Sequence, residues 1–323
     1  MNLDNVVTQY VAFRRMLGER FRVTEAILRR FCRAMGPEKR LTGIRRQDVT
    51  AFLISKGTVP RTWHVKYTAL KGLFRFAVGR GHLNKVPLPK ILPKWTSSFV
   101  PYIYTQDDLR RLFDAISSYR RHDALPRRRI PPRMEQPTVR AILLLLYGAG
   151  LRSSEALNLT ITDVDLANAL ITIRDTKFFK SRLVPISRSL TRALNDYTRW
   201  RTRTHPATDG NSRFFVDRHG AAVSMNRLEK EFGRLRKHAG LRRSGGGRFH
   251  PRLHDLRHTF AVNRLTAWYR QGADVQRLVH HLSVYLGHVS LASTQVYLTM
   301  TTELLQEASR RFERYARKED SHA

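Results

Sequence analysis

Cysteine, acidic residues and long apolar segments are all scarce in this sequence of 323 residues. The single cysteine, Cys32, excludes a disulfide framework and a cysteine-ligated metal site, and it fits a reducing compartment. The longest apolar run, residues 141–151, is too short for the roughly 20 residues that cross a bilayer. Residues 1–10 lack a basic segment followed by an apolar one, so no signal peptide is expected. We therefore expect a cytoplasmic protein that does not span a membrane.

The scarcity of acidic residues leaves a large surplus of positive charge. Lys and Arg number 59 against 26 Asp and Glu, a formal net charge of +33. Residues 1–94 hold 20 of these basic residues and 5 of the acidic ones, so the surplus is densest there. Hydrophobic residues make up 41% of the chain, which is enough for folded cores and excludes a disordered basic tail. Such charge on a folded protein is typical of a partner that is a phosphate polymer or an anionic membrane.

Proline marks the boundary between two predicted domains. Four prolines between residues 87 and 102 exclude a regular helix there. We assign residues 1–94 to a helical domain, residues 95–102 to a linker, and residues 103–323 to a second domain.

The clearest helix of the first domain covers residues 58–78. Apolar residues recur along it at helical spacing, which predicts a buried stripe of Val65, Leu70, Leu73, Phe74 and Ala77. Basic residues fall mainly around its other faces: Arg61, Lys66, Lys71 and Arg75. One basic helix face is often merely solvated, but the charge of the whole domain favours contact with DNA phosphates by these four residues.

The second domain is predicted to be mainly α-helical with a small antiparallel β-sheet, an α+β fold. Short β-rich runs at residues 163–166, 169–174 and 182–186 predict two or three strands, with a polar turn at 175–181. Helical patterns cover 105–116, 138–148, 225–238, 255–270, 274–286 and 291–299, and an amphipathic C-terminal helix covers 302–318.

A first motif, AGLRSSEAL at residues 149–157, places Arg152 after a buried helix and a glycine turn. An arginine at this position needs a partner or a ligand, because a buried unpaired charge is costly. Glu155, three residues later, lies on the same helix face and is one such partner. An internal ion pair between the two and an arginine that faces a ligand both remain open from these residues.

A second motif, HDLRHTFA at residues 254–261, places His254 and Arg257 on one helix face. Such donors suit a phosphate whose negative charge grows during transfer. His254 and His258 also have the spacing of a zinc pair, but the glutamate of the metalloprotease motif is missing and no third ligand is indicated. We predict no metal here, and for His258 we favour a core position satisfied by the backbone.

Two further segments complete the set. LGHVSLASTQVY at residues 286–297 contains His288 and ends on Tyr297, which a helix after Ser290 projects two turns later. Lys177 lies in the turn between two predicted strands, where it can contact a phosphate or donate a proton. Taken alone, Tyr297 fits an amphipathic core position and Lys177 a solvated charge. Lys180 competes with Lys177.

Together, these segments resemble the tyrosine recombinase family, also called phage-integrase-like. The resemblance covers roughly residues 138–300, with AGLRSSEAL and HDLRHTFA as its two arginine boxes, LGHVSLASTQVY as its nucleophile region and TKFFKSRLVPIS as its lysine hairpin. The basic residues 1–94 resemble the family's core-binding domain. The 30 residues between Arg257 and His288 are reminiscent of transposon-borne members.

The resemblance implies a site-specific recombinase that breaks and rejoins duplex DNA through a 3′-phosphotyrosyl intermediate, without metal, ATP or other cofactor. Tyr297 is then the nucleophile, and Arg152 and Arg257 hold the non-bridging oxygens of the scissile phosphate. Lys177 protonates the leaving 5′-oxygen.

The remaining roles also follow from the resemblance. His254 and His288 bind the phosphate and assist proton movement. Glu155 does not contact the phosphate but orients the residues that do. Tyr285 and Tyr315 are alternative nucleophiles outside the motif context.

The partners implied are double-stranded DNA and further copies of the chain, assembled as a tetramer of two dimers, with a partner recombinase or accessory protein as an option. A mobile element in a bacterial-type, nucleoid-associated setting is the expected context. The helix at 302–318 packs either on its own domain or on a neighbouring copy. Two alternative functions are a catalytically silent DNA-binding accessory protein and a topoisomerase or resolvase-type relative.

Overall fold

A computed structural model describes residues 1–19, 21–54, 60–90, 92–93, 101–118, 134–174, 181–207, 209–243, 249–288, 290–299 and 302–319. The chain divides into two compact units, and the described residues of the first lie within residues 1–93. The second comprises residues 99–174 and 181–323. Residues 95–100 of the predicted linker, and the turn with Lys177 and Lys180, lie outside the described residues.

The first unit is helical. Its helices are α1 (Leu3–Met16), α2 (Arg22–Met35), α3 (Arg46–Ile54) and α4 (Pro60–Gly79). The Asn2 side chain begins α1 by accepting the backbone N–H of Asn5. Helix α4 packs against the other three helices, and its apolar stripe meets theirs in one core. The large, fully buried side chains of this core are Leu3, Leu28, Phe31, Leu41, Leu53, Leu70, Leu73 and Phe74.

One of the four basic residues predicted to contact DNA from helix α4, Lys66, is buried. Lys66 is 5% exposed, and its ammonium donates a hydrogen bond of 3.1 Å to the carbonyl of Phe52 and lies over the Phe52 ring. Val65, predicted in the buried stripe, is 42% exposed instead. The prediction that Lys66 contacts DNA is therefore wrong, because its charged end is held inside the unit. Arg61 and Arg75 are exposed and Lys71 is half-buried, so their contacts with DNA stay predictions.

The second unit combines helices with a small sheet. Its helices are α5 (Gln106–Ser118), α6 (Gln136–Gly148), α7 (Ser153–Asn158), α8 (Arg188–Thr204), α9 (Met225–His238), α10 (Leu253–Arg270), α11 (Val275–Leu286), α12 (Ala292–Gln295) and α13 (Thr302–Glu319). The strands β1 (Val164–Asp165), β2 (Leu170–Ile173) and β3 (Arg182–Pro185) form an antiparallel sheet in that order, with Ile171 opposite Val184. The predicted fold class, mainly α with a small antiparallel sheet, is confirmed.

Helix α8 was not among the predicted helices. Its N-terminus is capped by Ser187, whose hydroxyl accepts the backbone N–H of Leu190. Leu190, Leu194 and Tyr197 recur at helical spacing and face the core beside α6. The pattern is present in the sequence, but it is diluted by the polar and charged residues between these positions, Arg192, Asn195 and Asp196.

Helix α10 lies at the centre of the second unit and carries the HDLRHTFA motif. The Asp255 carboxylate fixes its start by accepting the backbone N–H of Arg252 at 2.8 Å. Along its length α10 packs against α6, α11 and α13, which buries Leu256, Ala261 and Leu265 completely. Helix α10 is therefore surrounded by structure, and this fixes the direction of its polar side chains.

Helix α13 packs on α10 of its own chain. Leu304 is fully buried in the cluster that α10 and α11 form, and Arg270 of α10 lies 3.5 Å from the Glu307 carboxylate. Leu305 and Phe312 are exposed. Docking of α13 on a neighbouring copy stays a prediction.

Candidate active site

The first arginine is held by the glutamate three residues after it. Arg152 lies at the N-terminal end of α7, and its guanidinium and backbone N–H both donate to the Glu155 carboxylate, at 2.7 and 2.9 Å. A second nitrogen of the guanidinium donates to the Gly287 carbonyl at 2.7 Å. About one third of the Arg152 side chain stays exposed, so one edge faces outward. The internal ion pair and the outward-facing edge, which the sequence left as alternatives, are therefore present together.

The carboxylate of Glu155 is shared with a residue that the sequence motifs did not single out. Arg182, on β3, donates to both carboxylate oxygens at 2.8 and 3.1 Å, and its Nε donates to the Tyr285 carbonyl at 2.9 Å. Burial raises the pKa of Glu155, but hydrogen bonds and charge from Arg182 and then Arg152 outweigh it and lower the pKa to about 2. Glu155 is therefore a fixed negative charge among guanidiniums.

The second arginine is buried. Arg257 is 1% exposed, and its guanidinium donates to the carbonyls of Gly150 and Leu286, both at 2.7 Å. Gly150 has φ +60, and a Cβ there would lie 2.5 Å from the Phe260 ring. The glycine of AGLRSSEAL thus lets the backbone approach α10 closely enough for its carbonyl to reach Arg257.

The phenol of Tyr297 lies at the same place. Tyr297 sits in the short 3₁₀-helix Val296–Thr299, is 3% exposed, and its hydroxyl lies 3.1 Å from Nδ1 of His258. Burial raises the pKa of Tyr297, and the positive charges of Arg257 and then Arg152 oppose this rise. Two guanidiniums and the phenol therefore act on one another within a single chain, although Arg152 precedes Arg257 and Tyr297 by more than a hundred residues.

Two further histidines lie around this centre. His288 is half-buried, its ring stacks on that of Tyr297 at 6.0 Å, and its Nδ1 lies 2.6 Å from the Thr294 hydroxyl. Burial and then the charge of Arg257 lower the pKa of His288 to about 4, so its ring is neutral at pH 7. His254 is exposed at the surface, and its ring meets that of His258 edge to face at 4.7 Å.

The structure also bears on the alternatives. The hydroxyl of Tyr285 donates to the Pro185 carbonyl at 3.1 Å and its ring stacks on Phe260, so it is committed to packing. The side chain of Tyr315, like Lys177 and Lys180, lies outside the described residues. The expectation of a backbone-satisfied His258 is wrong, because its partner is the phenol of Tyr297.

Sequence reasoning gave no role to Arg182 or His258. The sequence did contain a signal for Arg182. A charged residue at the start of a short, largely apolar strand indicates a side chain with a specific partner. For His258 the only signal was its place directly after Arg257, which does not define the direction of a side chain in a helix that is buried on most sides.

The described residues contain no group of three or more His, Cys, Asp and Glu side chains arranged to hold a metal ion. None of the helices described is both long and apolar enough to span a bilayer.

A buried phenol beside two arginines, with His258 and His288 against its ring, places a nucleophile next to donors that can stabilise the negative charge of a phosphate. The phage integrase family profile matches residues 104–303. The integrase/recombinase homologue y4rB of Sinorhizobium fredii is 35% identical, covering 95% of this chain and 96% of y4rB. The tyrosine recombinase XerA of Pyrococcus furiosus is 32% identical, covering 81% of this chain and 77% of XerA. The chain therefore belongs to the phage integrase family, the tyrosine recombinases, which are site-specific DNA strand-transferring enzymes.

Solved structures share the fold. The integrase of transposon Tn1549, in complex with a circular intermediate DNA, superposes with a TM-score of 0.70 at 19% identity, covering 97% of this chain and 99% of that one. A λ integrase dimer bound to a core site superposes with a TM-score of 0.60 at 17% identity, covering 90% and 96%.

Proposed function

We propose that this protein recombines specific DNA sites by cleaving one strand at a time, with Tyr297 as the nucleophile. The observation that carries the proposal is the placement of the Tyr297 phenol beside Arg257 and Arg152 in the same chain. Attack of the phenolic oxygen forms a bond to phosphorus and breaks the bond to the 5′-oxygen. The product is a 3′-phosphotyrosyl ester and a free 5′-hydroxyl. A 5′-hydroxyl of a partner strand reverses these steps, so the bond energy is conserved and no ATP is needed.

The two arginines hold the non-bridging oxygens of the phosphate. Each guanidinium has five N–H groups, and the backbone carbonyls and Glu155 occupy only part of them. Those that remain are fixed in direction before DNA arrives, so they stabilise the growing charge of the transition state without reorganisation. Removal of one such donor costs about 10² to 10³ in rate.

The other predicted residues have supporting roles. His254 and His288 contact the phosphate, and Glu155 keeps Arg152 in position. Lys177 protonates the leaving 5′-oxygen, with Lys180 as the alternative from the same turn.

The proposed domain roles, assembly and biological context are those expected of a tyrosine recombinase. Residues 1–94 form a DNA-binding domain that uses Arg61, Lys71 and Arg75, residues 95–102 a linker, and residues 103–323 the catalytic domain. The functional form on double-stranded DNA is a tetramer of two dimers, with a partner recombinase or accessory protein as an addition. The +33 charge and the transposon integrase fold support action on a mobile element in the cytoplasm.

The test is a duplex nicked near the scissile phosphate, which traps the covalent adduct because the cleaved fragment diffuses away. The wild-type chain is expected to form an adduct that Tyr297→Phe abolishes while DNA affinity is kept. The substrate is the chain's own recombination site, taken from the ends of the element that encodes it. DNA binding without any adduct would instead identify a silent accessory protein.

A second assay separates recombination from single-duplex chemistry. Two labelled duplexes that carry the site are mixed with the protein, and exchanged products are measured. Adduct formation with relaxation of supercoiled DNA but no exchange would identify a topoisomerase or resolvase-type enzyme.

A further inference from the structure

His258 contacts the oxygen that attacks DNA under the proposed function. Its Nδ1 lies 3.1 Å from the Tyr297 hydroxyl, and the two rings are 5.5 Å apart. His258 follows Arg257 on α10, in the part of the helix that the Asp255 cap fixes, so its backbone is held firmly. A contact of this length is within the reach required of a general base in the absence of substrate.

Burial and the charges around His258 and Tyr297 determine whether each of these two side chains is protonated. Burial lowers the pKa of His258 first, followed by repulsion from His254, Arg252, Arg257 and His288 when these groups are protonated, which together bring it to about 3. The imidazole is therefore neutral at pH 7, and a neutral imidazole has one nitrogen that accepts a proton. Burial raises the pKa of the Tyr297 phenol, so the phenol is protonated. The pair consists of a proton donor and a group able to take the proton.

Other groups near the phenol are less suited to take its proton. The guanidiniums of Arg257 and Arg152 have no acceptor. Nδ1 of His288 is engaged with the Thr294 hydroxyl at 2.6 Å, and the His288 ring stacks on that of Tyr297, whereas His258 directs a ring nitrogen at the phenolic oxygen itself. A DNA phosphate placed at the arginines brings negative charge next to His258, which offsets the surrounding cations and raises its basicity when it is needed.

We infer that His258 is a catalytic residue that accepts the phenolic proton of Tyr297 as the phenol attacks the phosphate. The inference rests on the proposed function. The proton passes from the Tyr297 oxygen to Nδ1 of His258 while the oxygen–phosphorus bond forms. The bond to the 5′-oxygen breaks, and a second proton, from the hairpin lysine, reaches that oxygen. In the rejoining step His258 returns its proton to the departing phenol.

The experiment measures single-turnover cleavage of the nicked duplex by full-length protein with His258→Ala or His258→Asn. Both variants are expected to cleave about 10² to 10⁴ times more slowly, the range for loss of a general base. Asparagine keeps a hydrogen-bond acceptor near the phenol but cannot take a proton, so wild-type cleavage by His258→Asn would overturn proton transfer. His280→Asn, an exposed histidine on α11, is the matched control and is expected to cleave normally. DNA affinity and thermal midpoint exclude misfolding as the cause.

A chemical rescue separates this role from a structural one. With 3,5-difluorotyrosine at position 297, a more acidic phenol needs less help from a base, so cleavage by His258→Ala is expected to recover at least tenfold. A substrate with sulfur in place of the bridging 5′-oxygen, which leaves without protonation, is expected to rescue Lys177→Ala and not His258→Ala. Failure of the fluorinated tyrosine to rescue His258→Ala would overturn the inference. Wild-type protein that forms no adduct would overturn the proposed function instead.

Discussion

Glu155 and Arg182 meet through two parallel hydrogen bonds, 2.8 and 3.1 Å long, that join helix α7 to strand β3. Each side chain is about one tenth exposed. Through the same guanidinium, Arg182 also holds the Tyr285 carbonyl near the end of α11. Arg182 thus connects the segment of Arg152 with the segment that leads to His288.

Arg182→Ala is expected to destabilise the protein strongly. The substitution leaves the buried Glu155 carboxylate with less compensation, and breaking a buried pair costs about 3 to 5 kcal/mol. Urea unfolding followed by circular dichroism measures the loss. The matched control is Arg199→Ala, which removes an exposed pair with Asp196 and is expected to cost under about 1 kcal/mol. Equal effects of the two substitutions would contradict the importance of the buried pair.

Glu155 gives the second unit an acid-sensitive contact. Its pKa is about 2 in the folded protein against 4.5 ordinarily, so its contribution is complete above pH 4.5 and disappears as the pH falls through about 2. The contribution is on the order of 3 kcal/mol. Unfolding free energies measured between pH 6 and 2 are expected to fall less steeply for Glu155→Gln than for wild type. Parallel pH profiles would show that Glu155 titrates normally.

Gly287→Ala is expected to disturb the site from the backbone. Gly287 has φ +67, a conformation that costs alanine about 1 kcal/mol or more, and a Cβ would lie 2.7 Å from Nη1 of Arg182. Since the Gly287 carbonyl holds Arg152, we expect cleavage to fall at least tenfold as well. Cleavage of the nicked duplex and thermal unfolding measure both effects. Gly79→Ala, where a Cβ meets nothing within 4 Å, is the control.

Lys66 and Arg75 are expected to differ in the salt dependence of DNA binding. Arg75→Ala removes one exposed charge and is expected to reduce the slope of log K against log salt by about 0.9, the value for one phosphate. Lys66→Met is expected to leave the slope unchanged, because its ammonium is bonded to the Phe52 carbonyl. Affinities measured at several salt concentrations test both. A reduced slope for Lys66→Met would show that this lysine turns outward on DNA.

Helix α13 offers a pair of substitutions that separate folding from assembly. Leu304→Ala empties a fully buried position and is expected to cost about 2 to 5 kcal/mol of stability. Phe312 is 74% exposed, so Phe312→Ala is expected to leave stability unchanged. If α13 docks on a neighbouring copy, Phe312→Ala lowers cooperative binding to a two-site duplex. Unchanged cooperativity would place this face of α13 outside the contact between copies.

The sequence was most informative where residue type and spacing act locally. Glycine before Arg152, and Asp255 within HDLRHTFA, define a turn and a helix start that need few distant contacts. Periodicity alone assigned Val65 to the core and Lys66 to the surface, and packing reversed both. The long apolar part of a lysine side chain can be buried when its ammonium donates a hydrogen bond to a carbonyl. A hydrophobicity pattern does not show which backbone carbonyl will accept that bond.

The contacts of the site were less predictable because they join distant segments. The predicted group of Arg152, Glu155, Arg257, His288 and Tyr297 does converge, yet the groups that hold it are largely backbone carbonyls, which carry no sequence signal. His258 was misassigned for the same reason, since its partner lies 39 residues away.

The bonds from Arg257 to Gly150 and Leu286 have a consequence for synthesis on the ribosome. A nascent polypeptide that has emerged only as far as α10 lacks the second of these carbonyls, and the phenol follows later still. A polypeptide released from the ribosome before residue 286 therefore has neither both carbonyls that hold Arg257 nor the phenol of Tyr297.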